Sequence, residues 1–248
     1  QRWSMRARED IRQTMDPRKR ILVALDTTDV DHAKALALTL SGHVGGIKIG
    51  KEFFTAHGPQ GVREVAGDGR QPLFLDLKFH DIPNTVAGAL KSALALNPMI
   101  LNVHAAGGAA MMKAAAAAVA EAGAERPLLI GVTVLTSLGD EDLAEIGVPS
   151  SAAEQVVRLA KLAQVCGLDG VVCSPREIEM VRDACGSDFK TVVPGIRPEW
   201  AAAGDQKRIM TPRQAVDAGA DYLVIGRAIT GSDDPVGAAK RIGEELHP

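Results

Sequence analysis

From Ile21 onward the chain repeats one unit eight times, a short β-branched run followed by a longer run rich in Ala and Leu. That alternation is the pattern of parallel strands joined by crossover helices. It predicts strands over residues 20–26, 46–50, 73–79, 99–104, 128–136, 170–174, 190–196 and 222–227. Helices are predicted over 30–40, 51–65, 85–96, 109–122, 152–165, 175–184, 211–218 and 235–246. Eight β/α units in 248 residues point to the α/β class and to a single (β/α)8 TIM barrel. An open doubly wound sheet is the runner-up, disfavoured because no G-x-G-x-x-G opens the first βα turn. No linker or shift of composition divides residues 21–248, which are assigned to one domain. Residues 1–20 read as a loosely held polar flank or short surface helix, too poor in apolar residues for a secretory signal.

One predicted strand is charged where a strand of this class should be apolar. Leu73-Phe74-Leu75-Asp76-Leu77-Lys78-Phe79 places Asp76 and Lys78 on one face and Leu75, Leu77 and Phe79 on the other. Asp81 follows just past the strand end, and Pro83-Asn84-Thr85 has the chemistry of a turn into a helix. In an eight-fold barrel the chemistry lies at the C-terminal strand ends. Read there, this sequence offers Asp26, Lys48, Asp76, Lys78, Asn102, His104, Thr133, Thr136, Cys173, Ser174, Gly195, Arg197, Gly226 and Arg227. A ring of polar ends facing one mouth reads as an active site.

Within that ring, Lys48, Asp76, Lys78 and Asp81 alternate in sign, each ammonium favouring an ionised neighbour and each carboxylate a protonated one. Such an array suits a reaction that develops carbanion character, because a fixed cation stabilises that charge and can then deliver a proton. Gly226-Arg227 at the end of the eighth strand pairs a bare backbone with a guanidinium near a helix start, and barrels commonly bind a phosphate after strands seven and eight. Arg197 and Gln206 lie in a long segment after the seventh strand, 197–210, which reads as a mobile loop over the mouth. Another long segment, 137–151, is expected to hold a small extra helix.

Several classes are excluded. Gly45-Gly46-Ile47-Lys48-Ile49-Gly50-Lys51 imitates a nucleotide-phosphate loop but continues with Glu52 where a Ser or Thr should hold magnesium. A formal net charge of −3 and 3% aromatic residues argue against nucleic-acid binding. No apolar run is long enough to span a bilayer. No Cys/His cluster has metal-ligand spacing, and His80 and His104 read as structural. Cys166, Cys173 and Cys185 form no paired framework, which fits a reducing cytoplasm.

The motifs together resemble the orotidine 5'-phosphate decarboxylase family, from about Ile21 to the C-terminus. The most specific stretch is Phe74 to Thr85, supported by Leu22-Val23-Ala24-Leu25-Asp26, Lys48, Val132-Thr133-Val134-Leu135-Thr136-Ser137, Pro194-Gly195-Ile196-Arg197-Pro198, Gly204-Asp205-Gln206 and Ile225-Gly226-Arg227. The resemblance implies cofactor-free decarboxylation of orotidine 5'-phosphate to uridine 5'-phosphate, the last step of pyrimidine nucleotide synthesis. In it Lys78 is the proton donor, Asp76 lies near the scissile carboxylate, and Lys48 and Asp81 complete the charged network. Asp26 and Lys48 would bind the ribose, Thr136 and Gln206 the pyrimidine or closing loop, and Arg197, Gly226 and Arg227 the phosphate; Ile82, Thr85 and Pro194 are also assigned to the substrate site. The family resemblance further implies a homodimer in which Asp81 and Thr85 reach into the partner's site, and no metal or organic cofactor.

Two rivals remain at this stage. A related barrel using magnesium to hold an enediolate would carry a metal-binding acid on the second strand, where this chain has Lys48. A barrel that only binds a nucleotide monophosphate would have no reason to keep both lysines and both acids.

Overall fold

The structure, a computed structural model, describes residues 16–67, 70–201 and 210–247. Eight parallel strands follow one another in sequence order around a closed barrel: β1 (Ile21–Ala24), β2 (Gly46–Gly50), β3 (Leu73–Phe79), β4 (Ile100–His104), β5 (Leu128–Val132), β6 (Gly170–Val172), β7 (Lys190–Val193) and β8 (Tyr222–Ile225). β1 pairs with β2 on one side and with β8 on the other, which closes the ring and leaves no edge.

The helices are α1 (Val30–Thr39), α2 (Lys51–Ala66), α3 (Pro83–Leu94), α4 (Gly108–Ala120), α5 (Asp140–Glu145), α6 (Ala152–Val165), α7 (Ile178–Cys185), α8 (Pro212–Asp217), α9 (Arg227–Thr230) and α10 (Pro235–Glu245). Side-chain caps start several of them. Asp29 accepts from the His32 amide, Ser151 and Glu154 form a reciprocal box, and so do Thr211 and Gln214. Among the described residues, no helix is long and apolar enough to cross a membrane.

Period-two alternation sorts the strand residues into two cores. Val23, Ile47, Leu75, Leu101, Val171, Val193 and Leu223 point outward and pack against the helices. Leu22, Phe74, Ile100, Ile130 and Val192 point inward and fill the barrel as an apolar layer. Lys48 stands beside Phe74 in register and Asp76 one inward position above Phe74, so charge begins where the apolar layer ends. Phe74 forms part of the floor of the mouth.

Several boundaries differ from the sequence expectation. β1, β5 and β8 stop at Ala24, Val132 and Ile225 and not at residues 26, 136 and 227, because the polar residues at the mouth leave the ladder and enter loops. Arg227 opens the four-residue helix α9, which is too short for any periodicity to reveal. α3 begins at Pro83 and not at residue 85, since the ring of Pro83 suits a first helical position. Residues 175–177 form a separate 3-10 turn before α7. The expected continuous helix over 51–65 is broken at Gly58, with φ +60°, followed by Pro59. The small helix expected within 137–151 is α5.

The glycines that imitate a nucleotide loop have a packing reason. A Cβ on Gly46 would lie 2.5 Å from the Pro72 carbonyl oxygen, and one on Gly45 would collide with the Lys19 carbonyl. Part of the polar flank is packed: Pro17–Arg20 is a 3-10 turn, and Arg20 is buried with its guanidinium donating to the carbonyls of Ala220 at 3.1 Å and Asp221 at 3.4 Å. Residues 1–15 of the expected flank lie outside the described residues.

Candidate active site

The barrel mouth holds a cavity of about 360 Å³, lined by residues from β1, β2, β3, β5, β6, β7 and β8 and the loops that follow them. That is within the size range of a small-molecule site. At one wall stands a chain of alternating charge. Lys48 Nζ lies 3.2 Å from Asp26 Oδ1 and 3.5 Å from Asp76 Oδ2, and Lys78 Nζ donates to Asp76 Oδ1 at 2.6 Å. Lys48 and Asp76 are each 8% exposed, so both charges are held out of bulk water. Burial opposes ionisation of Asp76, but the Lys48 and Lys78 ammoniums and the hydrogen bonds from Lys78 and Asn102 outweigh it and hold this carboxyl below its usual range.

The strand that carries the pair is irregular. β3 pairs with β4 at Leu75↔Leu101 and again at Phe79↔Val103, with a register shift between. Lys78 sits in that shift with φ +50°, a left-handed conformation that residues bearing a Cβ adopt rarely. Asn102, fully buried on β4, donates from Nδ2 to Asp76 Oδ1 at 2.7 Å and accepts the Lys78 backbone N–H at Oδ1 at 2.8 Å.

Elsewhere on the cavity wall stand Thr136, Pro194, Gly195, Arg197, Gly226 and Arg227, with Val132, Val134, Val172, Val192, Ile196 and Val224 supplying apolar surface. Two guanidiniums therefore share one cavity with two ammoniums. Lys48 and Asp76 also border a smaller, adjoining space of about 220 Å³ with Lys51 and Glu52.

Other residues singled out from the sequence fall elsewhere. Asp81, Ile82 and Thr85 do not line this cavity in their own chain; they are exposed at the start of α3, with Ile82 66% exposed and Asp81 Oδ1 accepting the Ile82 N–H at 2.7 Å. Gln206 lies outside the described residues. Two members of the polar ring have local structural partners, and a third is buried outside the cavity. Thr133 is buried and donates to the Val172 carbonyl at 2.8 Å, the Ser174 amide is capped by Glu177, and Cys173 is buried with its thiol pushed up by burial. His104 packs its ring 5.4 Å from that of His80, and burial, followed by the charges of His80, Lys51 and Lys78, pushes its imidazole down to about 4. Among the described residues, no group of three His, Cys, Asp or Glu side chains gathers in a way that could hold a metal ion.

Sequence reading placed Asn102 at a strand end but gave it no role. The available signal was a lone amide in the apolar run Ile100-Leu101-Asn102-Val103 at an inward position.

The comparisons with known proteins agree with one another. A family profile described as "Orotidine 5'-phosphate decarboxylase / HUMPS family" matches residues 19–242. The chain is 54% identical over 230 residues to an orotidine 5'-phosphate decarboxylase of Rhodospirillum rubrum, covering 91% of this chain and 93% of that protein. A protein of the same name from Paramagnetospirillum magneticum is 53% identical, with 91% and 97% covered. Among solved structures, the orotidine 5'-phosphate decarboxylase of Lactobacillus acidophilus superposes with a TM-score of 0.82 at 36% identity, covering 92% of this chain and 99% of that one. An uncharacterized conserved protein from Geobacillus kaustophilus gives 0.80 at 36% identity, covering 91% and 99%.

Proposed function

The chain belongs to the orotidine 5'-phosphate decarboxylase / HUMPS family, and we propose that it converts orotidine 5'-phosphate to uridine 5'-phosphate and carbon dioxide. The observation that carries this reading is the Lys48–Asp76–Lys78 array, with Lys78 Nζ held 2.6 Å from Asp76 at the cavity wall. The bond from C6 to the carboxylate breaks, its electron pair stays on C6, and Lys78 supplies the proton that replaces carbon dioxide. The developing carbanion meets cations that are already in place, which lowers the barrier without reorganisation at the moment of reaction. No cofactor has a part in this scheme.

Asp26 and Lys48, joined at 3.2 Å, are the ribose contacts. Thr136, on the cavity wall, is assigned to the pyrimidine or the closing loop, and Pro194 to the substrate site. Gly195, Arg197, Gly226 and Arg227 are gathered on the loops after β7 and β8, where barrels commonly take phosphate, and Arg197, Gly226 and Arg227 are assigned to it. Binding energy from that remote group can be used to order the reacting ring against Lys78.

The active unit is a homodimer in this reading. Asp81, Ile82 and Thr85 are exposed and away from their own chain's cavity, which fits residues that complete the site of a second copy. Residues 21–248 form the catalytic domain, and the reaction takes place in the cytoplasm, where the free buried thiols of Cys166, Cys173 and Cys185 stay reduced. Spectroscopic turnover of orotidine 5'-phosphate by the purified protein tests the reading.

A further inference from the structure

We propose that Asn102 is a positioning residue for this decarboxylation: its carboxamide holds the Lys78 backbone in its left-handed conformation and fixes the Asp76 carboxylate against the Lys78 ammonium. The inference rests on the decarboxylase reading and adds to it a group that touches no substrate. Asn102 is 0% exposed and does not line the cavity.

The register explains why a side chain is needed here. Leu75 pairs with Leu101 and Phe79 with Val103, so Asp76, Leu77 and Lys78 all stand against the single residue Asn102. A regular parallel ladder would offer the Lys78 N–H a backbone carbonyl. At this bulge the N–H is displaced, and Asn102 Oδ1 meets it at 2.8 Å. A left-handed φ of +50° is costly for a residue with a Cβ and persists when its surroundings hold it. Relaxation to the ordinary pleat would turn the Lys78 Cα–Cβ bond and swing the ammonium away from its present direction.

The other end of the same amide acts on the partner. Asn102 Nδ2 donates at 2.7 Å to Asp76 Oδ1, the oxygen that also accepts from Lys78 Nζ at 2.6 Å. One planar group thus ties the backbone of the proton donor to the carboxylate that orients it. The chemistry also fixes which way the amide points, because the Lys78 N–H requires an acceptor and the ionised Asp76 requires a donor. Leu in its place would keep the branched outline, with somewhat greater bulk, and lose both bonds. Asp would keep the acceptor for Lys78 but set a second carboxyl against Asp76.

The test is steady-state kinetics of parent, Asn102→Leu and Asn102→Asp across pH, normalised to folded protein. For Asn102→Leu, kcat should fall by about 100-fold while KM stays within about threefold, the pattern of a misplaced catalytic group. For Asn102→Asp, the acid limb of kcat should move to higher pH, because two adjoining carboxyls retain a shared proton. The Asp variant sets a carboxyl against Asp76 whatever the role of Asn102, so kcat per folded protein decides the matter, with Asn102→Ala measured if the leucine variant does not accumulate. Parent-like kcat per folded protein in Asn102→Leu or Asn102→Ala, with activity lost only in proportion to folded protein, overturns the assignment of Asn102. A parent enzyme that leaves orotidine 5'-phosphate unchanged overturns the decarboxylase reading itself, and the inference with it.

Discussion

Lys78 donates its ammonium to Asp76 Oδ1 at 2.6 Å, two residues along a strand whose backbone turns left-handed at Lys78, with φ +50°. The pair is thus held by local geometry and not by a long flexible reach. If Lys78 is the proton donor, Lys78→Ala should lower kcat by at least about 10²- to 10⁴-fold, the range for a positioned general acid. Affinity for uridine 5'-phosphate should be largely kept. Single-turnover assays and calorimetry with the product separate the two effects, and near-normal turnover would remove Lys78 from that role.

Arg227 lies at the cavity wall at the start of α9 and is exposed. A hydrogen bond to a charged group is worth about 1.5–3 kcal/mol, and solvent screening at an exposed site favours the lower end. Arg227→Ala should therefore weaken binding of uridine 5'-phosphate by about tenfold or somewhat more, while binding of uridine is unchanged. Equal losses for nucleotide and nucleoside would move the phosphate site elsewhere.

Asp81 is on the surface of its own chain, outside the cavity that holds Lys78. If it completes a partner's site, Lys78→Ala and Asp81→Ala proteins, each inactive alone, should regain activity when mixed and allowed to exchange subunits. Each hybrid dimer then contains one site with both residues. Mixtures that stay inactive after verified exchange would contradict the shared site.

His104 is held neutral in the fold down to about pH 4, against 6.5 in the unfolded chain. Between those values the unfolded state binds a proton that the native state refuses, so stability falls as pH drops from about 6.5 to about 4. Asp76, depressed in the fold, contributes stability at neutral pH that is lost at still lower pH, as its carboxyl takes up a proton. Urea denaturation midpoints measured across pH should show the first decline in the parent and a flatter profile in His104→Gln. An unchanged slope in that variant would assign the decline to other groups.

The parts of the site written in one strand were legible. Strand alternation puts Asp76 and Lys78 on one face, and both do line the mouth, although Lys78 is aimed there from a left-handed residue inside the register shift, where alternation no longer sets the direction. Lys48 was legible for the same reason, as a lone charge between Ile47 and Ile49. What depends on two strands was not: the bulge opposite Asn102 is a property of β3–β4 register, and neither strand's sequence contains it. Thr133 and Ser174 occupy strand ends like the site residues, yet their partners are local, and Cys173 is buried outside the cavity, which only packing reveals. Gly58-Pro59 did carry a break signal, and the amphipathic pattern on either side of it masked the kink in α2. Asp81 lies beyond the strand, where alternation says nothing, and only family resemblance separates it from the array.

The most direct test of the account is to follow the ultraviolet spectrum of orotidine 5'-phosphate with purified protein in the presence of excess chelator. The account predicts complete conversion to the spectrum of uridine 5'-phosphate, with one carbon dioxide released per nucleotide and a rate the chelator does not change. A spectrum that stays that of orotidine 5'-phosphate would contradict the central claim, and a rate abolished by the chelator would contradict its cofactor-free form.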